Sequence, residues 1–249
     1  MMHLVRAEWT KLFTTRVWIG LLLGAVALAV LSTVFLTAFA GNPDTGVPEV
    51  GTPLFEQQAF AGPASAVVLM LVLGVIGMTQ EYRHRTATPT FLTTPRRGRV
   101  VVAKLIAYAL VAIPFALVVT AVNYAVLAVY AGARGAVPEL SGDNLRVVAT
   151  SALALVIYTV IGVGLGALIR NQIGAIVGAL VYLFVVESLI RGFFGAAYKW
   201  LPGGALEALT ATFQGPDVLE RWQGGVLLLG YGLVAAVLGT FLAVRRDIV

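Results

Sequence analysis

The stretch VWIGLLLGAVALAVLSTVFLTAFA at residues 17–40 contains no charged side chain. A transmembrane helix needs about 20 consecutive apolar residues, so this stretch is long enough to cross a bilayer. The whole chain is 59% hydrophobic and only 12% charged, whereas soluble domains carry about 25% charged residues. The sequence therefore predicts an integral membrane protein.

Five more apolar stretches of similar length follow, separated by polar segments. The first stretch ends in Ala38-Phe39-Ala40, which resembles a signal-peptidase site, but its apolar run exceeds that of a signal peptide and we expect it to be retained. The six spans fill about half of the chain, so we predict an all-α membrane protein with one domain, residues 1–249. The predicted spans are residues 17–40, 64–80, 105–130, 147–169, 172–190 and 223–244.

The basic residues between the spans predict the orientation of the chain. Twelve of the 17 Lys and Arg residues fall on one side of the membrane when both termini are placed in the cytoplasm. Lys and Arg accumulate on the cytoplasmic side of membrane proteins, so this placement is favoured. The net charge of +5 therefore reflects membrane topology, and we expect the lipid bilayer as a partner and no nucleic acid.

Residues 2–16 precede the first span. Val5, Trp9 and Leu12 are spaced so that they share one face of a helix, whereas Arg6 and Lys11 lie away from that face. This pattern predicts an amphipathic helix on the inner membrane surface; the alternative is a plain extension of the first span. The residues assigned to this interfacial helix are Arg6, Glu8, Trp9, Lys11 and Arg16.

The segment at residues 81–104 is the most polar part of the predicted inner surface, with six Arg or Lys residues. Two interpretations remain open from its composition. The segment is either a basic anchor that contacts lipid phosphates or a docking surface for a cytoplasmic partner.

The segment at residues 191–222 is the longest predicted outer segment. Phe193, Phe194, Tyr198 and Trp200 lie close to its start. These residues fit short helices that dip into the outer leaflet, and they fit equally an aromatic belt at the membrane interface.

Several kinds of chemistry are excluded by residue types. The chain has no cysteine, and its two histidines, His3 and His84, both lie at the predicted inner surface, so we expect no metal site. The three lysines follow Thr10, Ala103 and Tyr198, whereas a Walker A loop requires a Gly-Lys pair. We therefore expect the chain not to be an enzyme by itself.

One acidic residue lies within a predicted span. Glu187 is near the outer end of the fifth span, and Arg191 follows four residues later, the favoured order for a helical ion pair. The pair is interpreted either as a local salt bridge or as a polar gate that lines a pathway.

Glycines four residues apart occur in three predicted spans, and this spacing permits close approach of helix backbones. In the fourth span, Gly162, Gly164 and Gly166 form a cluster. Gly20 and Gly24 lie in the first span, and Gly174 and Gly178 lie in the fifth. Packing within the chain and a dimer seam are both open interpretations.

Three features together resemble the permease subunits of type-2 ABC transporters, a bacterial exporter class. The first is RAEWTKLFTTRVW at residues 6–18, leading directly into the first span. The second is EYRHRT at 81–86 followed by TPRRGRVVVAK at 94–104. The third is the order of six spans with a long outer segment before the last one.

The resemblance implies that residues 2–16 form an elbow helix and that the 81–104 segment couples to a separate ATPase. Many members of the family have glycine where this chain has Arg85, a departure from the family pattern. The residues assigned to ATPase coupling are Glu81, Tyr82, Arg83, His84, Arg85, Thr86, Pro95, Arg96, Arg97, Arg99 and Lys104.

The resemblance also implies an assembly. Two permeases, identical or different, would pair through the first and fifth spans together with two copies of an ABC ATPase, and the 191–222 segment would form short helices above the pathway. ATP and Mg²⁺ would bind to the partner, with no cofactor in this chain. The residues assigned to the dimer or pathway are Gly20, Gly24, Gly174, Gly178, Glu187 and Arg191.

The function implied by the resemblance is efflux of an amphipathic drug or antibiotic, with a role in antibiotic resistance, from the bacterial plasma membrane. Export of a lipid or polysaccharide is the alternative within transport. A membrane anchor or sensor that recruits a cytoplasmic protein is the alternative from another class.

Overall fold

The computed structural model describes residues 1–84, 97–136, 138–140, 142–212 and 218–245. Within these ranges the regular secondary structure is helical throughout, which confirms the predicted all-α class. The α-helices are α1 (Met2–Thr14), α2 (Val17–Ala38), α3 (Pro53–Phe60), α4 (Val67–Arg83), α5 (Arg97–Gly132), α6 (Gly142–Ile169), α7 (Gln172–Val181), α8 (Glu187–Phe193), α9 (Gly195–Tyr198), α10 (Pro202–Thr210) and α11 (Arg221–Arg245).

Six helical stretches in the described ranges are long and apolar enough to cross a membrane, as the sequence predicted. This indicates a multi-pass membrane protein. In chain order they are called spans 1 to 6: Val17–Ala38, Pro53–Arg83, Gly98–Gly132, Gly142–Ile169, Gln172–Phe193 and Arg221–Leu242.

Span 2 begins earlier than the sequence predicted. Residues 41–63 lie between the first two predicted spans and contain four prolines, so they were expected to form an outer loop. In the structure, Pro53 instead occupies the first turn of α3, where its missing N–H has no consequence. The Thr52 side chain accepts a hydrogen bond from the Phe55 backbone N–H at 3.3 Å and so caps the helix. A 3₁₀ turn, Gly62–Ala66, then connects α3 to α4.

Spans 2 and 4 form the centre of the bundle, with 72% and 61% of their most apolar windows buried. Glycines allow their backbones to touch: a Cβ atom added at Gly74 would overlap the Thr159 carbonyl oxygen, and one added at Gly162 would overlap the Leu71 carbonyl oxygen. Small residues thus provide the close packing that helices need in a bilayer.

Spans 1 and 5 lie at the periphery, with only 17% of each most apolar window buried. Large apolar side chains such as Leu31, Phe35, Ile173 and Phe184 are exposed on them. Such outward apolar faces are typical of helices that contact lipid or another membrane subunit.

Spans 4 and 5 are joined by a two-residue turn. Arg170 has a φ of 55°, and Asn171 caps α7 by accepting a hydrogen bond from the Gly174 N–H at 2.9 Å. An Arg170 Nη2 donates to the Leu242 carbonyl at 2.8 Å, so spans 4 and 6 end together. We call this the basic end, defined by α1, Arg83, Arg99 and Arg170; the other is the opposite end.

Candidate functional site

The predicted N-terminal helix is present as α1, and it packs against the start of span 3. Leu12 is buried at 3% exposure, and the Trp9 indole N–H donates to the Ala107 carbonyl at 3.1 Å. α1 is therefore attached to the helical bundle through specific contacts, in addition to any contact with a membrane surface.

The buried face of α1 carries an acid. Glu8 precedes Leu12 by one helical turn and is only 4% exposed. Its Oε2 lies 2.5 Å from Nζ of Lys104, a side chain with no solvent exposure at all. The sequence analysis assigned Glu8 to the interfacial helix but did not predict this ion pair.

Two more charged residues complete a cluster at the basic end. Lys11 Nζ lies 2.7 Å from Glu8 Oε1 and 2.5 Å from Glu81 Oε1. Lys104 Nζ lies 3.3 Å from Glu81 Oε1 and donates to the Gly77 carbonyl at 3.2 Å. We call Glu8, Lys11, Glu81 and Lys104 the charge cluster; its formal charges cancel.

Burial makes these contacts necessary. A buried charge is costly unless it is paired and hydrogen-bonded, and here each acid has two lysines within ion-pair distance. Burial alone would lower the pKa of Lys11, but its hydrogen bonds to Glu8 and Glu81 outweigh that effect and raise the pKa above 10.5. Lys11 is thus a permanent cation at neutral pH.

The charge cluster rests on a tightly packed aromatic residue. Tyr108 is 1% exposed, and a Cβ atom at Gly77 would overlap its ring. The Tyr108 hydroxyl has no hydrogen-bond partner in the structure. Only a residue without a side chain fits at Gly77, and the Gly77 carbonyl oxygen also accepts the hydrogen bond from Lys104.

The charge cluster joins three parts of the chain. Glu8 and Lys11 belong to α1, Glu81 lies in the last turn of α4, and Lys104 lies in the second turn of α5. Both flanks of the basic 81–104 segment are consequently tied to α1.

The residues assigned to ATPase coupling fall into two groups. Glu81 and Lys104 are buried, so their side chains hold the segment in place, whereas Arg83, His84 and Arg99 are exposed at the basic end. Tyr82 is half-buried, with the Arg170 guanidinium 5.8 Å from its ring centroid. Arg85, Thr86, Pro95, Arg96 and the side chain of Arg97 lie outside the described residues.

A sequence signal for the Glu8–Lys104 pair does exist. Lys104 is the only charged residue in the apolar run VVVAKLIAYAL at residues 100–110. A charge inside an apolar helix faces the protein interior and requires a partner. The identity of that partner, 96 residues earlier in the chain, required the three-dimensional structure.

A second feature is an apolar groove of about 490 Å³ between spans 2, 4, 5 and 6. Leu71, Leu165, Gly178 and Leu238 contribute to its walls. Three tyrosines, Tyr158, Tyr182 and Tyr231, also line it, together with Pro202 at the start of α10. We call this feature the groove.

Glu187 lies beyond the groove toward the opposite end and is 3% exposed. Its Oε2 accepts a hydrogen bond from the Gly203 N–H at 2.9 Å, and its Oε1 has no hydrogen-bond partner. The sequence suggested an ion pair between Glu187 and Arg191, but Arg191 Nη1 lies 2.7 Å from Glu207 Oε1. The two residues therefore have different partners.

Glu207 also organises the segment after span 5. The Tyr198 hydroxyl donates to Glu207 Oε1 at 3.0 Å, and the Arg191 guanidinium lies 4.9 Å from the Tyr198 ring centroid. Burial and the negative charge of Glu207 raise the pKa of Tyr198, so its hydroxyl remains protonated.

Short helices are present in the segment predicted at 191–222, namely α9 and α10. Two tyrosines attach them to the bundle. The Tyr158 hydroxyl donates to the Pro202 carbonyl at 3.1 Å, and the Tyr231 hydroxyl donates to the Trp200 carbonyl at 2.8 Å. Spans 4 and 6 thus hold this segment over the end of the groove.

The four glycines assigned to a seam differ in their surroundings. A Cβ atom at Gly24 would lie 2.9 Å from Leu69 Cδ1, so Gly24 packs against span 2 of its own chain. Gly20 and Gly178 have open space beside them, and Gly174 meets only its own helix cap, Asn171. Gly20 and Gly178 are consequently available to another molecule.

Comparison with known proteins adds a family to this geometry. Among curated proteins, no sequence matches the chain. A family described as "Protein of unknown function (DUF2705)" matches residues 17–248, which include all six spans, Glu81, Lys104 and Glu187. The chain belongs to the DUF2705 family.

Proposed function

We propose that this chain is the membrane permease subunit of an ATP-driven exporter of the ABC class, working with a separate ATPase. The observation that carries the proposal is the charge cluster, which joins the elbow helix to both flanks of the 81–104 segment. The sequence resemblance in residues 6–18 and 81–104 concerns the same two segments.

The proposed mechanism is mechanical coupling. ATP binding draws the two ATPase subunits together, and each pulls on the 81–104 segment of its permease through exposed residues such as Arg83, His84 and Arg99. Buried ion pairs depend strongly on geometry, so α1 and the ends of spans 2 and 3 move as one unit. That motion opens a pathway between two permeases, a rigid-body rearrangement.

The orientation follows from the same proposal. The basic end faces the cytoplasm of a bacterial cell, where ATP is available, and both termini lie there. The positive-inside rule supports this placement. The opposite end, with α9, α10 and Glu187, then faces the outer side of the plasma membrane.

The proposed pathway lies between two copies that meet through spans 1 and 5. These are the spans with the least burial in the described structure, and Gly20 and Gly178 on them have open space. Apolar walls suit an amphipathic substrate, so efflux of a drug or antibiotic is the function we propose for the assembly.

The test is affinity purification of the tagged chain from its native membrane in mild detergent, with mass spectrometry and an ATPase assay. We expect a stoichiometric partner with a Walker A loop and measurable ATP hydrolysis. The matched control is a chain with Arg83 and Arg99 both replaced by Ala, which should lose the partner and the activity. Repeated recovery of the wild-type chain without a nucleotide-binding partner contradicts the proposal and favours a membrane anchor or sensor.

A further inference from the structure

Glu187 extends the surface of span 5 that lines the groove. Ala175, Ala179 and Leu183 line the groove at helical spacing, and Glu187 lies one turn beyond Leu183. Its backbone partner, Gly203, directly follows Pro202, which lines the groove from the other side. A buried carboxylate therefore lies close to one end of a largely apolar cavity, although it is not among the residues that line it.

This carboxylate lacks a compensating charge. Among the described residues, no cationic side chain lies within ion-pair distance of Glu187, and the charged side chain that acts on it is another acid, Glu207. Glu207 is itself paired with Arg191. Glu187 Oε1 has no hydrogen-bond partner. Burial of an unpaired carboxylate is costly, so a cation bound nearby would stabilise the charged form of Glu187.

Aromatic residues line the same groove. Three of them are Tyr158, Tyr182 and Tyr231. The hydroxyls of Tyr158 and Tyr231 donate to backbone carbonyls, so these rings are fixed in place. Fixed aromatic faces attract organic cations and exclude water from them.

We propose that the groove binds a lipophilic organic cation, with the charged centre beside Glu187 and the apolar substituents along spans 4, 5 and 6. The volume of about 490 Å³ lies within the range of small-molecule sites, about 300–1,000 Å³. This inference rests on the proposed function in one respect, since it names the substrate class of the exporter; binding itself requires no ATPase.

The test uses two ions of the same shape and opposite charge, tetraphenylphosphonium and tetraphenylborate. Each is titrated into the purified full chain, without any ATPase, and the signal of empty micelles is subtracted. We expect saturable binding of the phosphonium that is about tenfold tighter than that of the borate, as expected for one screened ion-pair attraction. Equal affinity for the two ions overturns the proposal.

Replacement Glu187→Gln removes the negative charge and should weaken phosphonium binding about tenfold. Glu49→Gln, the same change at an exposed acid, should leave binding unchanged. Should the Glu187 variant fail to fold, a photoreactive phosphonium on the wild-type chain replaces it, and labels are expected at Tyr158, Tyr182 or Tyr231. Labels found only outside the groove overturn the inference.

The binding result and the partner result are independent. If the chain shows no preference for the phosphonium but copurifies with a Walker A partner, only the proposed substrate class is wrong. If the chain binds the phosphonium selectively but never associates with an ATPase, the exporter proposal is wrong and the cation site in the groove stands.

Discussion

Lys104 of span 3 and Glu8 of α1 form an ion pair of 2.5 Å, and the lysine side chain is completely buried. The two residues are 96 positions apart, so their pairing fixes the N-terminal helix to the bundle. Together with Glu81 and Lys11 they tie α1 to both flanks of the 81–104 segment. The proposed coupling mechanism depends on this connection.

Replacement Lys104→Met should strongly destabilise the protein. It leaves Glu8 without its shortest ion pair and leaves Glu81 with one lysine partner instead of two. Breaking a buried ion pair costs about 3–5 kcal/mol. Thermal unfolding in nanodiscs measures the loss. Lys199→Met is the matched control, because Lys199 lies outside the charge cluster; similar melting temperatures for both variants would contradict the structure.

Exchange of the two charges should restore part of this stability. Glu8→Lys alone places three cations around one acid, whereas Glu8→Lys combined with Lys104→Glu returns two cations and two acids to the same positions. We expect the double variant to melt above both single variants, since residues in direct contact are energetically coupled. Additive losses in the double variant would show that Glu8 and Lys104 do not interact.

Lys11 should make stability depend on alkaline pH. Its pKa is raised above 10.5 by Glu8 and Glu81 despite burial, so its contribution is fully present below pH 10.5 and is lost as pH rises through the folded pKa. The stability difference between wild type and Lys11→Met should therefore be constant below pH 10.5 and shrink above it. A constant difference throughout, like that expected for Thr10→Ala, would argue against the ion pairs.

Gly162→Ala should destabilise the centre of the bundle. The added Cβ atom would overlap the Leu71 carbonyl oxygen, and overpacking of this kind costs about 1–3 kcal/mol. Gly230→Ala is the control, because no atom lies within 4 Å of a Cβ atom there. Equal stability of the two variants in nanodiscs would contradict the close contact of spans 2 and 4.

Gly178→Leu should weaken association of two permeases without unfolding the chain. Gly178 is exposed at the edge of the groove and has open space beside it, so the monomer tolerates the leucine, which narrows the proposed seam. Cross-linking in nanodiscs and size-exclusion chromatography in detergent report the oligomer. Gly230→Leu is the control on span 6, and a dimer that survives Gly178→Leu in both media would exclude Gly178 from the seam.

The fold was largely predictable because long apolar stretches have few alternatives in a membrane. The start of span 2 was not predictable. The proline at position 53 suggested a loop, and Thr52 can be recognised as a helix cap only once the position of α3 is known. The glycines of span 4 indicated close packing, but the partner backbones, Leu71 for Gly162 and Ala235 for Gly164, depend on tertiary contacts.

The candidate site was predictable only in part. The N-terminal helix and the basic segment were predicted from their sequence, but Glu8 was expected at a membrane surface and is instead buried. Ion pairs between distant segments leave no local pattern in the sequence. A local pattern can also mislead: the spacing of Glu187 and Arg191 suggested an ion pair, but Arg191 pairs with Glu207.

Site-specific cross-linking in native membranes tests the central claim, that the basic end docks an ATPase. The chain has no cysteine, so single cysteines at Arg83, Arg99 or Asp44 can be labelled with a photoreactive maleimide. The account predicts that Arg83 and Arg99 positions cross-link to a chain with a Walker A loop, and that Asp44, in the predicted outer loop, does not. Cross-links to lipid alone, or to the same proteins from all three positions, would contradict it.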